Sequence, residues 1–171
     1  MYAISDVVQQ ISYSVQHATR PKGYCTGARC IRPCESRISQ LSQSTFPFHK
    51  TFSIAGGSTD AQTSVLIKIV ADNGLAGIGE GTPCVAYSEE TQATVVHVIK
   101  DILTPALLGQ DPLRLDALDA LMNHVIDGHP LAKGGVSLAL YDLAGKALGL
   151  SAYQFFWAGS ASRDSCHSSP R

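Results

Sequence analysis

The chain has 171 residues, 44% hydrophobic and 16% charged, with a formal net charge of −1. That describes a globular domain able to bury its own core, with no general attraction for nucleic acid or an anionic membrane surface. No apolar run approaches the ~20 residues of a membrane span, and Asp6, Gln9 and Gln10 interrupt the stretch a secretory signal would need. Five cysteines, three of them within residues 25–34, do not make the even, spread framework of a secreted disulfide protein, so the expected compartment is cytoplasmic.

In chain order, Ile4, Val7, Val8, Ile11 and Val15 recur at helical spacing before a breaker at residues 19–23. Cys25, Cys30 and Cys34 follow without strand or helix period, and residues 1–36 are expected to be an irregular, poorly ordered leader. Residues 37–46 read as a strand. Residues 63–70, rich in β-branched side chains, read as a stronger one, with Val65, Ile67 and Ile69 on one face. Asp72-Asn73-Gly74 marks a hairpin, with Asn-Gly supplying positive φ angles. The returning strand is residues 75–80. Gly77, Gly79 and Gly81 predict that another piece of backbone passes close to it.

After Glu80 the period becomes helical. Ser88 reads as an N-cap, with Glu89 and Glu90 placed well against the helix dipole. Val95, Val96, Ile99, Ile102 and Leu103 line one face up to a break at Thr104-Pro105. Asp111-Pro112 predicts a second helix, striped by Leu115, Leu118, Met122 and Val125 and closed by Gly128-His129-Pro130. A third runs from about Ala132 to Leu148, with Gly149 as its cap; its small residues, among them Gly134, Gly135 and Ala139, permit close contacts. One more short helix is expected from Ser151. Strands followed by helices give an α+β fold: a three-stranded antiparallel meander, then a bundle of three to four helices, the helices from Ser88 and Ala132 covering the sheet's apolar side.

Three stretches carry a family resemblance: residues 47–56 with the strand to Val70; residues 72–80 with Pro83 and Tyr87; and residues 129–149, which contain Ala-Leu-Tyr-Asp-Leu-Ala-Gly-Lys-Ala-Leu-Gly. In order and spacing they resemble the N-terminal capping domain of the mandelate racemase and muconate lactonizing enzyme group of the enolase superfamily, over roughly residues 37–158. The resemblance implies a domain seated over the mouth of a (β/α)₈ barrel, with residues 48–61 and 81–88 closing on a small carboxylate substrate. Phe52, Ile54, Ala55, Gly56 and Tyr87 are the lid candidates, and Gly56 and Gly57 suit a mobile lid. The implied parent chemistry is Mg-assisted abstraction of a proton beside a carboxylate, with metal ligands and bases on the barrel. Residues 159–171 do not resemble barrel sequence, so a fragment inactive alone is expected, with the barrel as partner in cis or in trans. A freestanding interaction module and one half of a split enzyme are the rival readings. An open barrel-facing apolar surface would favour self-association.

The remaining signals are bland. The cysteine trio has separations unlike a zinc knuckle, and His17 is distant. The glycines at 77, 79 and 81 do not join a strand directly to a helix, as a phosphate loop requires. His124, Asp127 and His129 read as a polar helix end, His97 as a structural histidine and Lys68 as an ordinary edge or solvent-facing lysine. The acids Asp60, Asp72, Glu80, Glu89 and Glu90 are scattered, so neither a metal site nor a catalytic residue is expected.

Overall fold

The computed structural model describes residues 11–14, 36–54, 57–85, 88–151 and 154. The three cysteines of the leader, His17 and residues 159–171 lie outside them. Strands β1 (Ile11–Ser14), β2 (Ser36–Ile54), β3 (Gly57–Ala71) and β4 (Ala76–Gly81) form an antiparallel sheet in the order β1-β2-β3-β4. The three expected strands make the meander. β1 adds a short fourth at its margin, pairing Ile11 with Gln43 and Ser14 with Gln40. Residues 11–14 are therefore extended, contrary to the helical spacing that ran through them: tertiary pairing outweighs a weak local pattern.

The turn between β3 and β4 departs in detail from the expected one. Gly74 takes φ 85°, while among the described non-glycine residues positive φ occurs only at His129. Gly74 N–H bonds the Ala71 carbonyl, Ala71 N–H bonds the Leu75 carbonyl, and Asn73 Oδ1 accepts from Leu75 N–H at 3.0 Å. This is a type I turn closed by a glycine bulge, which places the positive φ on Gly74 alone.

Alternation in β3 puts Val65, Ile67 and Ile69 on the covered face, all essentially fully buried, while Lys68 points to solvent. Helix α1 (Gln92–His97), a π-helical segment (Val98–Leu103) and α2 (Thr104–Leu107) run on from one another. The N-cap is Thr91 rather than Ser88. Thr91 Oγ1 accepts from Thr94 N–H at 3.2 Å, and Thr94 Oγ1 accepts from Thr91 N–H at 2.7 Å, a reciprocal box that neither Ser88 nor the two glutamates provide. Thr104-Pro105 does not break the helix. The chain widens into the π segment, Thr104 N–H reaching the Ile99 carbonyl, and Thr104 Oγ1 donates to the same carbonyl at 2.7 Å. The missing N–H of Pro105 is thus accommodated.

Helix α3 (Leu115–Val125) starts three residues later than the Asp-Pro pair suggested. Asp111 Oδ1 accepts from Leu113 N–H at 3.0 Å, an Asx turn leading into the helix instead of capping it. Leu115, Leu118 and Met122 are buried, but Val125, the last helical residue, is 37% exposed. Helix α4 (Pro130–Leu148) ends as expected at Gly149, φ 66°, with Gly149 N–H on the Lys146 carbonyl and Leu150 N–H on the Gly145 carbonyl. Ser151 and Gln154 then bond reciprocally, side chain to backbone, as a helix start requires.

The close backbone approach predicted from the glycines is between β4 and α4. A side chain at Gly77 would overlap the Ala139 carbonyl, and one at Gly79 the Gly135 carbonyl; from the helix side, a Cβ on Gly135 would lie 2.9 Å from Gly81 N. The core fills around this contact with Leu41, Ile67, Ile99, Leu103, Val136 and Leu143. No helix among the described residues is long and apolar enough to cross a membrane.

Candidate functional site

One end of the domain carries both connections singled out from the sequence. The first is a two-stranded arm. Beyond Thr45 and Thr63, β2 and β3 continue pairing to Ile54 and Gly57, with an interruption where Pro47 faces Ala61 and Phe52 faces Thr59. Residues 48–51 therefore bulge out opposite Asp60. Thr51 Oγ1 donates to Asp60 Oδ1 at 2.6 Å, and Ser53 and Ser58 join hydroxyls at 2.9 Å. These cross-strand bonds brace the two strands of the arm as a ribbon. On it Phe48 and Phe52 stack at a tilt, ring centroids 5.9 Å apart, and Phe52 is 53% exposed. Apolar aromatic surface held in water at the tip of an arm is what a partner or ligand would cover.

The second connection leaves β4 at Gly81 and returns at Thr91. Thr63 Oγ1 donates to the Pro83 carbonyl at 3.4 Å, tying it to the root of the arm, and Ser88 closes it by donating N–H and hydroxyl to the Cys84 carbonyl at 2.8 and 3.2 Å. Val85 is exposed. Of the five lid candidates, Phe52 is on the arm and the backbone of Ile54 ends β2, paired with Gly57. Ala55, Gly56 and Tyr87 lie outside the described residues.

Two arrangements were missed from sequence. Glu90 is buried, and instead of serving its own helix it accepts from Leu131 N–H at 2.8 Å and Ala132 N–H at 3.2 Å at the start of α4. Asp142 and Lys146, one turn apart on α4, close the outer edge of β4. Asp142 Oδ2 accepts from Ile78 N–H at 2.8 Å and from Lys146 Nζ at 2.6 Å, and Lys146 Nζ also donates to the Ala76 carbonyl at 2.9 Å. The edge is thereby protected from pairing with another chain. The only sequence signal for it was the i, i+4 acid–base pair in the family-like helix.

Burial tends to raise the Asp142 pKa, but the hydrogen bond from Lys146, that from Ile78 N–H and the Lys146 charge together hold it below the usual carboxylate range. A depressed carboxylate adds stability that is complete above its ordinary pKa of 3.8 and lost as pH falls through the folded value. Asp142→Asn should therefore cost about 1 kcal/mol or less at neutral pH, as for half-exposed pairs, and nothing once the acid is protonated. Urea unfolding of both proteins at a series of pH values checks this; a gap that widens on acidification would refute it.

Beside this edge runs an open apolar groove of about 750 Å³, lined in part by Leu66, Ile78, Leu138, Tyr141 and Leu150. Ile78 and Leu138 are more than half exposed. Among the described residues no three His, Cys, Asp or Glu side chains converge where a metal could be held. His124, Asp127 and His129 do not gather, and His97 pairs with Asp101 at the surface, 2.8 Å apart. The described residues do not fit a magnesium site.

Residues 38–156 match the family described as Mandelate racemase / muconate lactonizing enzyme, N-terminal domain. The chain is 34% identical over 108 residues to the N-succinyl-L-Arg/Lys racemase of Bacillus cereus, covering 63% of this chain and 29% of that protein. It is similar in structure to the dipeptide epimerase of Enterococcus faecalis V583 complexed with Mg and the dipeptide L-Leu-L-Tyr, with a TM-score of 0.68 and 28% identity over 71% of this chain and 34% of that one. It is also similar to the muconate lactonizing enzyme of Pseudomonas fluorescens complexed with muconolactone, with a TM-score of 0.64 and 30% identity over 70% of this chain and 33% of that one. The chain spans 29% of the length of the racemase and of a similar hydrophobic dipeptide epimerase.

Proposed function

The chain belongs to the mandelate racemase and muconate lactonizing enzyme family through its N-terminal domain, and from that premise we propose that it is the capping domain of a racemase, epimerase or cycloisomerase acting on a small carboxylate. The observation that carries this reading is the placement of the aromatic arm and the β4–α1 connection at one end of the sheet, tied together through Thr63 and Pro83. A barrel set against that end would hold the metal and the bases, and this chain would exclude water and select the substrate's side chain through Phe48 and Phe52. The exposed apolar side chains of the groove supply a further surface for a partner domain.

Proton abstraction beside a carboxylate needs a base within hydrogen-bond reach and a metal or donor set for the developing enediolate. Among the described residues the acids do not converge: Glu80 is exposed on β4, Glu90 is committed to α4, and Asp60 to Thr51. The expected result is no α-proton exchange into D₂O by the purified chain over a panel of carboxylates, with or without Mg²⁺, and exchange when a barrel of the family is supplied in trans. Metal-dependent exchange by the chain alone, abolished by Glu80→Gln, would overturn the proposal.

A further inference from the structure

Three strained or buried polar features converge on the first turn of α4. Its N-cap, His129, is left-handed at φ 50° and gives no side-chain cap. The Glu90 carboxylate stands in for that cap from 41 residues away, accepting from Leu131 and Ala132 N–H, and Glu90 is only 3% exposed. His129 Nδ1 lies 3.5 Å from Glu90 Oε1. The same turn also receives the other end of the β4–α1 connection: a Cβ on Gly81 would lie 3.0 Å from the Leu131 carbonyl. The connection thus leaves from and returns to one helical turn. Its departure is fixed by strand pairing and its return by one carboxylate.

We propose that Glu90 is the positioning residue that sets where this connection returns, using the N-terminal amides of α4 as a fixed reference. The role rests on the reading of the connection as a substrate-side element. A carboxylate suits the task better than a neutral acceptor, because two backbone N–H groups and the positive end of a 19-residue helix converge on it. Ser88 on one side of Glu90 and Thr91 on the other are each held by a local hydrogen bond, so the acid carries both with it.

The test is residue-resolved hydrogen exchange on the whole chain, comparing the parent with Glu90→Ala and Glu90→Gln. In Glu90→Ala the Ser88 and Thr91 amides should exchange about tenfold faster than global unfolding, read at Ile67, accounts for. Glu90→Gln, which keeps one acceptor, should restore most of that protection. Acceleration at Leu131 and Ala132 alone would show a helix cap and nothing more, and a uniform acceleration would show only lost stability; either overturns the proposal. If Glu90→Ala does not fold, Glu90→Gln decides through the protection it does not restore: Ser88 and Thr91 should still exchange about twofold faster than global unfolding accounts for, and exchange there no faster than global unfolding accounts for would overturn the proposal. No barrel or substrate enters the measurement, so failure of the capping reading is detected separately.

Discussion

Replacing Gly79 by alanine is expected to destabilise the domain by about 3 kcal/mol or more, a large loss for one methyl group. The added carbon would overlap the Gly135 carbonyl oxygen and lie 2.6 Å from the Ala139 nitrogen. Both are backbone atoms of α4, so no side chain can swing aside. The helix would have to lift from the strand, opening the contacts of Val136, Ala139, Leu140 and Leu143, all buried. Gly77→Ala should behave alike, because its Cβ would overlap the Ala139 carbonyl and approach Leu143 N at 2.7 Å. The control is one residue from the contact. A Cβ at Gly134 meets nothing within 4 Å, so Gly134→Ala should stabilise by about 0.5–1 kcal/mol through helix propensity and a less flexible unfolded chain. Urea denaturation followed by circular dichroism compares the four proteins. A Gly79→Ala protein as stable as the parent would mean that α4 does not rest on β4.

Ile67→Ala is expected to cost about 3–4 kcal/mol, and Ile78→Ala less than about 0.5 kcal/mol, although both isoleucines lie in neighbouring strands of one sheet. Ile67 pairs with Gly79 and is fully buried, its Cδ1 lying 2.6 Å from where a Cβ on Gly135 would be. It fills the space that the glycines leave between sheet and helix, and truncation leaves a cavity whose backbone walls cannot collapse. Ile78 pairs with Lys68, one position on, and is 58% exposed. Strand period two assigns the isoleucines to opposite faces. Equal losses at the two positions would refute the register, since a slip of one residue exchanges the faces.

Local chemistry wrote much of the fold into the sequence. Alternating β-branched residues from Val65 to Ile69, the turn at Gly74, and the long helix closed by Gly149 each depend on neighbours within a few positions, and each was read correctly as an element. The two connections that the resemblance places on the substrate side lie at one end of the sheet. The geometry of the first was not legible: the side-chain bonds Thr51–Asp60 and Ser53–Ser58 extend the ladder, and such pairing is known only once the register is.

The helix starts show the same division. Ser88 and Asp111 have good capping chemistry, yet Ser88 turns to Cys84 and Asp111 to Leu113, while Thr91 takes the cap of α1. Several residues of similar local merit compete, and packing chooses among them. What the sequence by itself determined is therefore the order and type of the main elements after β1, the buried face of β3 and the need for a close backbone neighbour at β4, because these follow from periodicity and from the absence of side chains. Only the tertiary structure decided which helix that neighbour is, that Glu90 serves α4 rather than the helix beside it, and that Asp142 and Lys146 close the edge of β4. Each of those joins residues 41 to 70 positions apart, and a hydrogen bond across such a separation has no local pattern to announce it: it forms only after α4 has docked and its polar groups have lost water.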